Sequence, residues 1–169
     1  SVLPAEYDLA VAVGGHAVRE RLCRRFAALG FTLPVIIHPS AVIAPDVEIG
    51  AGSVIFAQAV IQPCCRIGDG AIVNAATIDH DCILGGFVHI SPGAHLAGGT
   101  QIGGGSWIGI GACPRQQIKI GTNVIVGAGA AVVSDVSDGL TVVGNPAKPL
   151  IRPSENTLAA KSEQADGQK

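Results

Sequence analysis

Three histidines fall near the middle of the chain, and one of them stands between two carboxylates in the run Asp79-His80-Asp81-Cys82. Imidazole titrates closest to neutral pH, and a neighbouring acid can hold one ring nitrogen and raise the basicity of the other. The run therefore makes His80 a candidate general base with a neighbouring acid as its partner, although a solvated surface histidine beside two surface acids is the reading the run alone favours. His89 and His95 follow, six residues apart, and three histidines also invite a zinc site. Cys82, two residues from His80, raises a Cys-His nucleophile. Nearer the start, Gly14-Gly15-His16 joins an apolar run to a helical stretch, where backbone N–H groups at a helix N-terminus can take a phosphate.

What must position these residues is a six-residue repeat. Ile37, Ile43, Ile49, Ile55, Ile61 and Ile67 keep one phase; after the loss of one residue it resumes at Ile72, Ile78, Leu84, Ile90, Leu96, Ile102, Ile108, Pro114, Ile120, Val126 and Val132. Sixteen of the seventeen steps are aliphatic. Four residues after each comes a second, mostly small register running from Ala41 through Ser53, Cys65, Ala76, Cys82, Ala94 and Ala112 to Val136. An even spacing along a strand puts both positions on one face, so each step points a large and a small residue inward. Gly, Asp or Asn between them supplies turn chemistry for a corner, and a period of six fits no helix. The expected object is a parallel β-helix whose coils stack about 4.8 Å apart, with roughly 5.7 coils if three steps make one coil. Cys82 then falls in the inward small register, which favours a packed thiol over a nucleophile.

The chain has 169 residues and a net charge of −2, with 14% charged residues. That balance leaves no basic field for nucleic acid or anionic lipid. Gly and Pro number 23 and 10 without a three-residue period, and hydrophobic residues reach 48%, which excludes both collagen and disorder. The longest apolar run is too short to span a membrane, and five cysteines without a CxxC pair point to a reduced, cytoplasmic setting. The flanks read differently from the repeat. Asp8 to Val13 and Phe31 to Ile36 are expected strands around a helix with Val18, Leu22, Phe26 and Leu29 on its apolar face and Arg19 elsewhere. Residues 1–36 are thus expected to form a partial Rossmann-like βαβ substrate-binding unit, 37–137 the β-helix, 138–153 a closing segment and 154–169 a mobile tail.

Val73-Asn74-Ala75-Ala76-Thr77-Ile78-Asp79-His80-Asp81-Cys82, Gly86-Phe87-Val88-His89-Ile90-Ser91-Pro92-Gly93-Ala94, Leu96-Ala97-Gly98-Gly99 and Val143-Gly144-Asn145-Pro146-Ala147-Lys148 resemble the NeuD-type sugar O/N-acyltransferases of the hexapeptide-repeat class. The resemblance runs over roughly residues 1 to 152 and implies a left-handed β-helix, an exception to right-handed crossovers. It implies that His80 is the base, that Asp81 raises its basicity and that His89 contacts acetyl-CoA. Gly98, Ile110, Ala128 and Lys148 then lie along the co-substrate, with Asn74 and Gly14 on the sugar side and no metal. The expected reaction is acetylation of the 4-amino group of a nucleotide-linked deoxysugar, of bacillosamine or perosamine type. O-acetylation of a sialic acid is the nearest rival; a γ-class carbonic anhydrase and a non-catalytic solenoid stand further off, and His89 and His95 are six apart where the zinc enzymes have two histidines five apart. A solenoid corner is convex, so a pocket around His80 is expected only between chains of a homotrimer, with Phe87 and Trp107 as outward aromatic contacts.

Overall fold

The structure, a computed structural model, describes residue 4 and residues 6–151. From Ile36 to Val136 the chain winds as a parallel β-helix of two-residue strands on three faces. The first face stacks Ile36–Ile37, Val54–Ile55, Ile72–Val73, His89–Ile90, Trp107–Ile108, Ile125–Val126 and Thr141–Val143 in parallel, and Lys148–Pro149 turns back antiparallel to close it. The second carries Val42–Ile43, Val60–Ile61, Thr77–Ile78, His95–Leu96, Cys113–Pro114 and Ala131–Val132; the third runs from Glu48–Ile49 to Lys119–Ile120. The second face breaks its ladder at Pro114, which has no N–H to donate, and keeps only His95 N to Ala112 O (3.0 Å) and Ala97 N to Pro114 O (3.3 Å).

Both inward registers fill the core. Ile55, Ile61, Ile78, Ile90, Leu96 and Ile108 are buried, and the small register from Ser53 to Val124 lies beneath the corners. Of the three hydroxyls in it, Ser53 and Ser106 donate to Gly68 O (3.0 Å) and Gly121 O (2.7 Å) and accept from Ala71 N and Val124 N, while Thr100 donates to Ala97 O (2.6 Å); among the described residues no buried side-chain polar atom is left unpaired. Glycine concentrates where corners stack: a Cβ on Gly68 would lie 2.6 Å from Gly86 N.

Two expectations about the register need correction. Ile55 lies opposite Val73, eighteen positions on, but Ile61 lies opposite Ile78, only seventeen on. Val73, not Ile72, therefore points inward, and the missing residue falls at the Asn74-Ala75 corner, which Ala75 closes with φ 42°. Ile37 is 46% exposed because it belongs to the first coil, with no strand stacked beyond it among the described residues.

The N-terminal part departs further from expectation. Asp8 to Val13 and Phe31 to Val35 are extended but form no ladder, sharing the single bond Leu9 N to Thr32 O (3.0 Å); an isolated strand pair is marginal. Helix α1, His16–Ala28, starts as expected but is rotated: Arg19 and Cys23 are buried, whereas Val18 and Leu29 are exposed. Burial of the arginine is possible because backbone carbonyls take up its N–H groups. The helix lies along the corners joining the third face to the first, since a Cβ on Gly52 would come 3.8 Å from Cys23 Sγ and one on Gly105 3.1 Å from the His16 ring. The expected mobile tail lies outside the described residues.

Candidate active site

His80 sits on the corner joining the second face to the third. Its backbone N–H donates to Asp79 Oδ1 (2.9 Å), while the ring Nδ1 pairs with Asp81 Oδ2 at 2.7 Å. The two acids that the sequence leaves in competition thus divide the work: Asp79 shapes the turn and Asp81 holds the ring. Asp81 reaches it from a left-handed backbone, φ 59°. The Asp81 hydrogen bond, followed by the charge of Asp79, holds the His80 pKa above its ordinary value. With Nδ1 committed, Nε2 has no hydrogen bond among the described residues and is the free basic nitrogen.

One coil further on, the ring of His80 lies across Gly98. A Cβ there would meet Cε1 and Nε2 of the imidazole at 2.8 Å, so the absent side chain of Gly98 is what lets the ring lie along the corner. The Gly99 N–H is committed to His80 O (2.8 Å), whereas the Gly98 N–H has no partner among the described residues. Gly98→Ala is expected to rotate the imidazole away and lower turnover about tenfold or more with the melting temperature little changed, because general-base geometry tolerates little displacement. Comparing steady-state rates and melting curves checks this; wild-type turnover would mean that Gly98 does not set the ring.

Cys82 is buried beneath the same corner with Sγ 3.5 Å from Ala97 O, and burial pushes its pKa up to about 12. It is a core thiol and not an activated nucleophile.

His89 lies elsewhere, on the first face. Its ring stacks on Trp107 with centroids 5.5 Å apart and planes 8° from parallel, and Trp107 Nε1 donates to Ser91 Oγ at 2.7 Å. Burial, and then the charge of Arg19, lower the His89 pKa, which favours the neutral ring. Three adjoining cavities meet at His89. One of about 480 Å³ runs down the corner between the first and second faces past Asn74, Ser91, Ile110 and Ala128. The others, of about 400 and 420 Å³, lie between the first face and the N-terminal loop and share Gly14. Lys148 pairs with Val143 at the far end of the same face.

The expected site residues therefore fall into two groups. His80, Asp81 and Gly98 share one cavity of about 430 Å³ with Gln116 and Gln117, while Asn74, His89, Ile110 and Ala128 line another on a different corner. Gly98, expected beside Ile110 and Ala128, sits with His80 instead, because the corners it could occupy are fixed by the eighteen-residue coil. His95 is exposed on the second face, away from both. Among the described residues no three metal-ligating side chains come together. Phe87, expected as an outward aromatic, is buried over Gly70; Trp107, 48% exposed, does face outward.

No family model matches the chain. It is 32% identical over 149 residues to the GDP-perosamine N-acetyltransferase of Escherichia coli O157:H7, covering 84% of this chain and 67% of that protein. Its fold superposes on the acetyltransferase domain of PglB from Neisseria gonorrhoeae FA1090 with a TM-score of 0.88 and 56% identity, over 89% of this chain and 74% of that one. The chain belongs to the NeuD-type sugar acetyltransferases. A further member, PerB from Caulobacter crescentus in complex with CoA and GDP-perosamine, matches with a TM-score of 0.84 and 41% identity, over 85% of this chain and 70% of that one. The PglB domain has also been solved in complex with acetyl coenzyme A. As in these acetyltransferases, the solenoid is a left-handed β-helix. In this NeuD-type chain the composition and repeat do not reveal Arg19, Ser91 or the His89-Trp107 stack. Outward strand positions carry no periodic signal, although Trp107 pairs in register with His89 one coil apart.

Proposed function

We propose that this acetyltransferase moves the acetyl group of acetyl-CoA to the 4-amino group of a nucleotide-linked amino-deoxysugar of bacillosamine or perosamine type. The observation that carries the reading is the His80-Asp81 pair at 2.7 Å, which leaves Nε2 free beside the unpartnered N–H of Gly98. The sugar nitrogen attacks the thioester carbon as Nε2 takes its proton; the C–S bond then breaks, and the departing CoA sulfur receives that proton. The Gly98 N–H then stabilises the tetrahedral oxyanion. Acetyl-CoA lies along the corner groove past His89, Ile110 and Ala128 toward Lys148, whose ammonium suits a CoA phosphate, and the sugar is held on the Asn74 and Gly14 side. The relatives solved with acetyl coenzyme A, or with CoA and GDP-perosamine, support the pair of substrates.

Because His80 and the His89 groove occupy different corners of one chain, a complete site needs the His80 corner of one copy against the groove of another. Three copies around an axis close this arrangement into a homotrimer with three equivalent sites. Five free cysteines suit a reduced, cytoplasmic setting, and no helix among the described residues is long and apolar enough to cross a membrane.

Purified protein should release CoA thiol when acetyl-CoA is supplied with a UDP- or GDP-linked 4-amino-deoxysugar. Release with sialic acid alone would replace N- by O-acetylation, and release with neither would overturn the reading.

A further inference from the structure

Arg19 is a charged side chain only 1% exposed, yet none of the ion pairs among the described residues includes it. Every N–H of its guanidinium goes to a backbone carbonyl. Nε donates to Gly70 O (2.7 Å); Nη1 donates to Val13 O (3.0 Å) and Gly14 O (2.6 Å); Nη2 donates to Phe87 O (2.7 Å) and, at 3.4 Å, to Val88 O. A guanidinium with all its donors engaged has none left for a ligand phosphate. What it does is fix three pieces of backbone to one another: the loop before α1 and two successive coils of the solenoid.

Those pieces are the walls of the cavities at His89. Gly14 lines two of them, and Val88, whose carbonyl Arg19 holds, directly precedes His89. Among the described residues no backbone hydrogen bond joins the loop at residues 10–15 to the coils. The spacing between Gly14 and His89 is thus set through the fork of one side chain. The groove begins at the same His89, but its length past Ile110 and Ala128 is built from coil corners that Arg19 does not touch.

We propose that Arg19 is a positioning residue that clamps the Gly14-Gly15 loop onto the His89 coil and thereby sets the fit of the nucleotide-sugar, leaving the acetyl-CoA groove unaffected. The proposal rests on the reading above that Gly14 lines the sugar side of the site. Arg19→Lys keeps the charge but presents one nitrogen where three are needed, and Arg19→Gln removes the charge as well. In the lysine variant, amide exchange at Leu9 and Val13, the hydrogen-bonded N–H groups of the segment leading to the loop, is expected to quicken about tenfold, and the KM for nucleotide-sugar to rise by a similar factor, since charged hydrogen bonds of this kind contribute at least that much. The KM for acetyl-CoA should stay within about twofold of wild type, which a general loss of structure would not produce. If Arg19→Gln fails to fold, the lysine variant decides alone. Unchanged exchange would overturn the clamp. Faster exchange with both KM values unchanged would overturn the sugar side of the site and the proposal with it, and a rise in both KM values equally would reduce Arg19 to a structural role.

Discussion

Replacing His80 by alanine is expected to lower turnover by about 10² to 10⁴-fold while leaving the solenoid folded, the range a positioned general base contributes. The fold should survive because the imidazole is exposed and bonded only to Asp81; the contribution of this residue to the coil is its carbonyl, which alanine retains for the Gly99 N–H. Asp81→Asn should cost less, since an amide oxygen still accepts from Nδ1–H, but it removes the group chiefly responsible for raising the His80 pKa. The base is active when neutral, so the rate falls as pH drops through that pKa. A lowered pKa moves the acidic limb of the pH-rate profile to lower pH. Rates near wild type for His80→Ala, or an unmoved limb for Asp81→Asn, would remove these residues from the chemistry.

The second large effect lies in the core. Ile78→Asp should yield no soluble protein. Ile78 is fully buried, paired in register with Ile61 and Leu96 on the neighbouring coils, so the variant loses roughly 2–4 kcal/mol of apolar burial and packing and adds an unpaired carboxylate at a cost of several kcal/mol more. Together these approach the whole stability of a domain, about 5–15 kcal/mol. Ile83→Asp is the control: Ile83 precedes the buried Leu84 but points outward, and the substituted chain should stay soluble. A soluble Ile78→Asp protein with a cooperative melt would mean that the inward face is misassigned.

The solenoid was legible because its two inward positions recur every six residues and few other arrangements give isoleucine that period. The position of the one-residue slip was not, because Ile72 and Val73 are both β-branched and either fits an inward site by composition; only the ladder partners Ile55 and Ile61 separate them. The face of α1 misled for a different reason. Apolar periodicity assumes that charge faces water, and nothing in the sequence says that five carbonyls will converge on Arg19. At the site, adjacency offered Asp79 and Asp81 equally and only the family resemblance favoured Asp81, whereas the separation of His80 from His89 was not legible at all. Nine residues look close along the chain, yet they carry it from one corner across the third face to the first.

The central claim, that His80 of one copy acts in the His89 groove of another, is tested most directly by mixing two variants. His80→Ala keeps an intact groove, and Ala128→Trp fills the groove while keeping the base. Each alone should be nearly inactive. Unfolded together and refolded as mixed trimers, they should recover about a quarter of wild-type activity, because random assortment pairs an intact His80 with an intact groove in one site of four. Activity no higher than the sum of the separate variants, from trimers shown to contain both chains, would contradict the account and place the whole site within one chain.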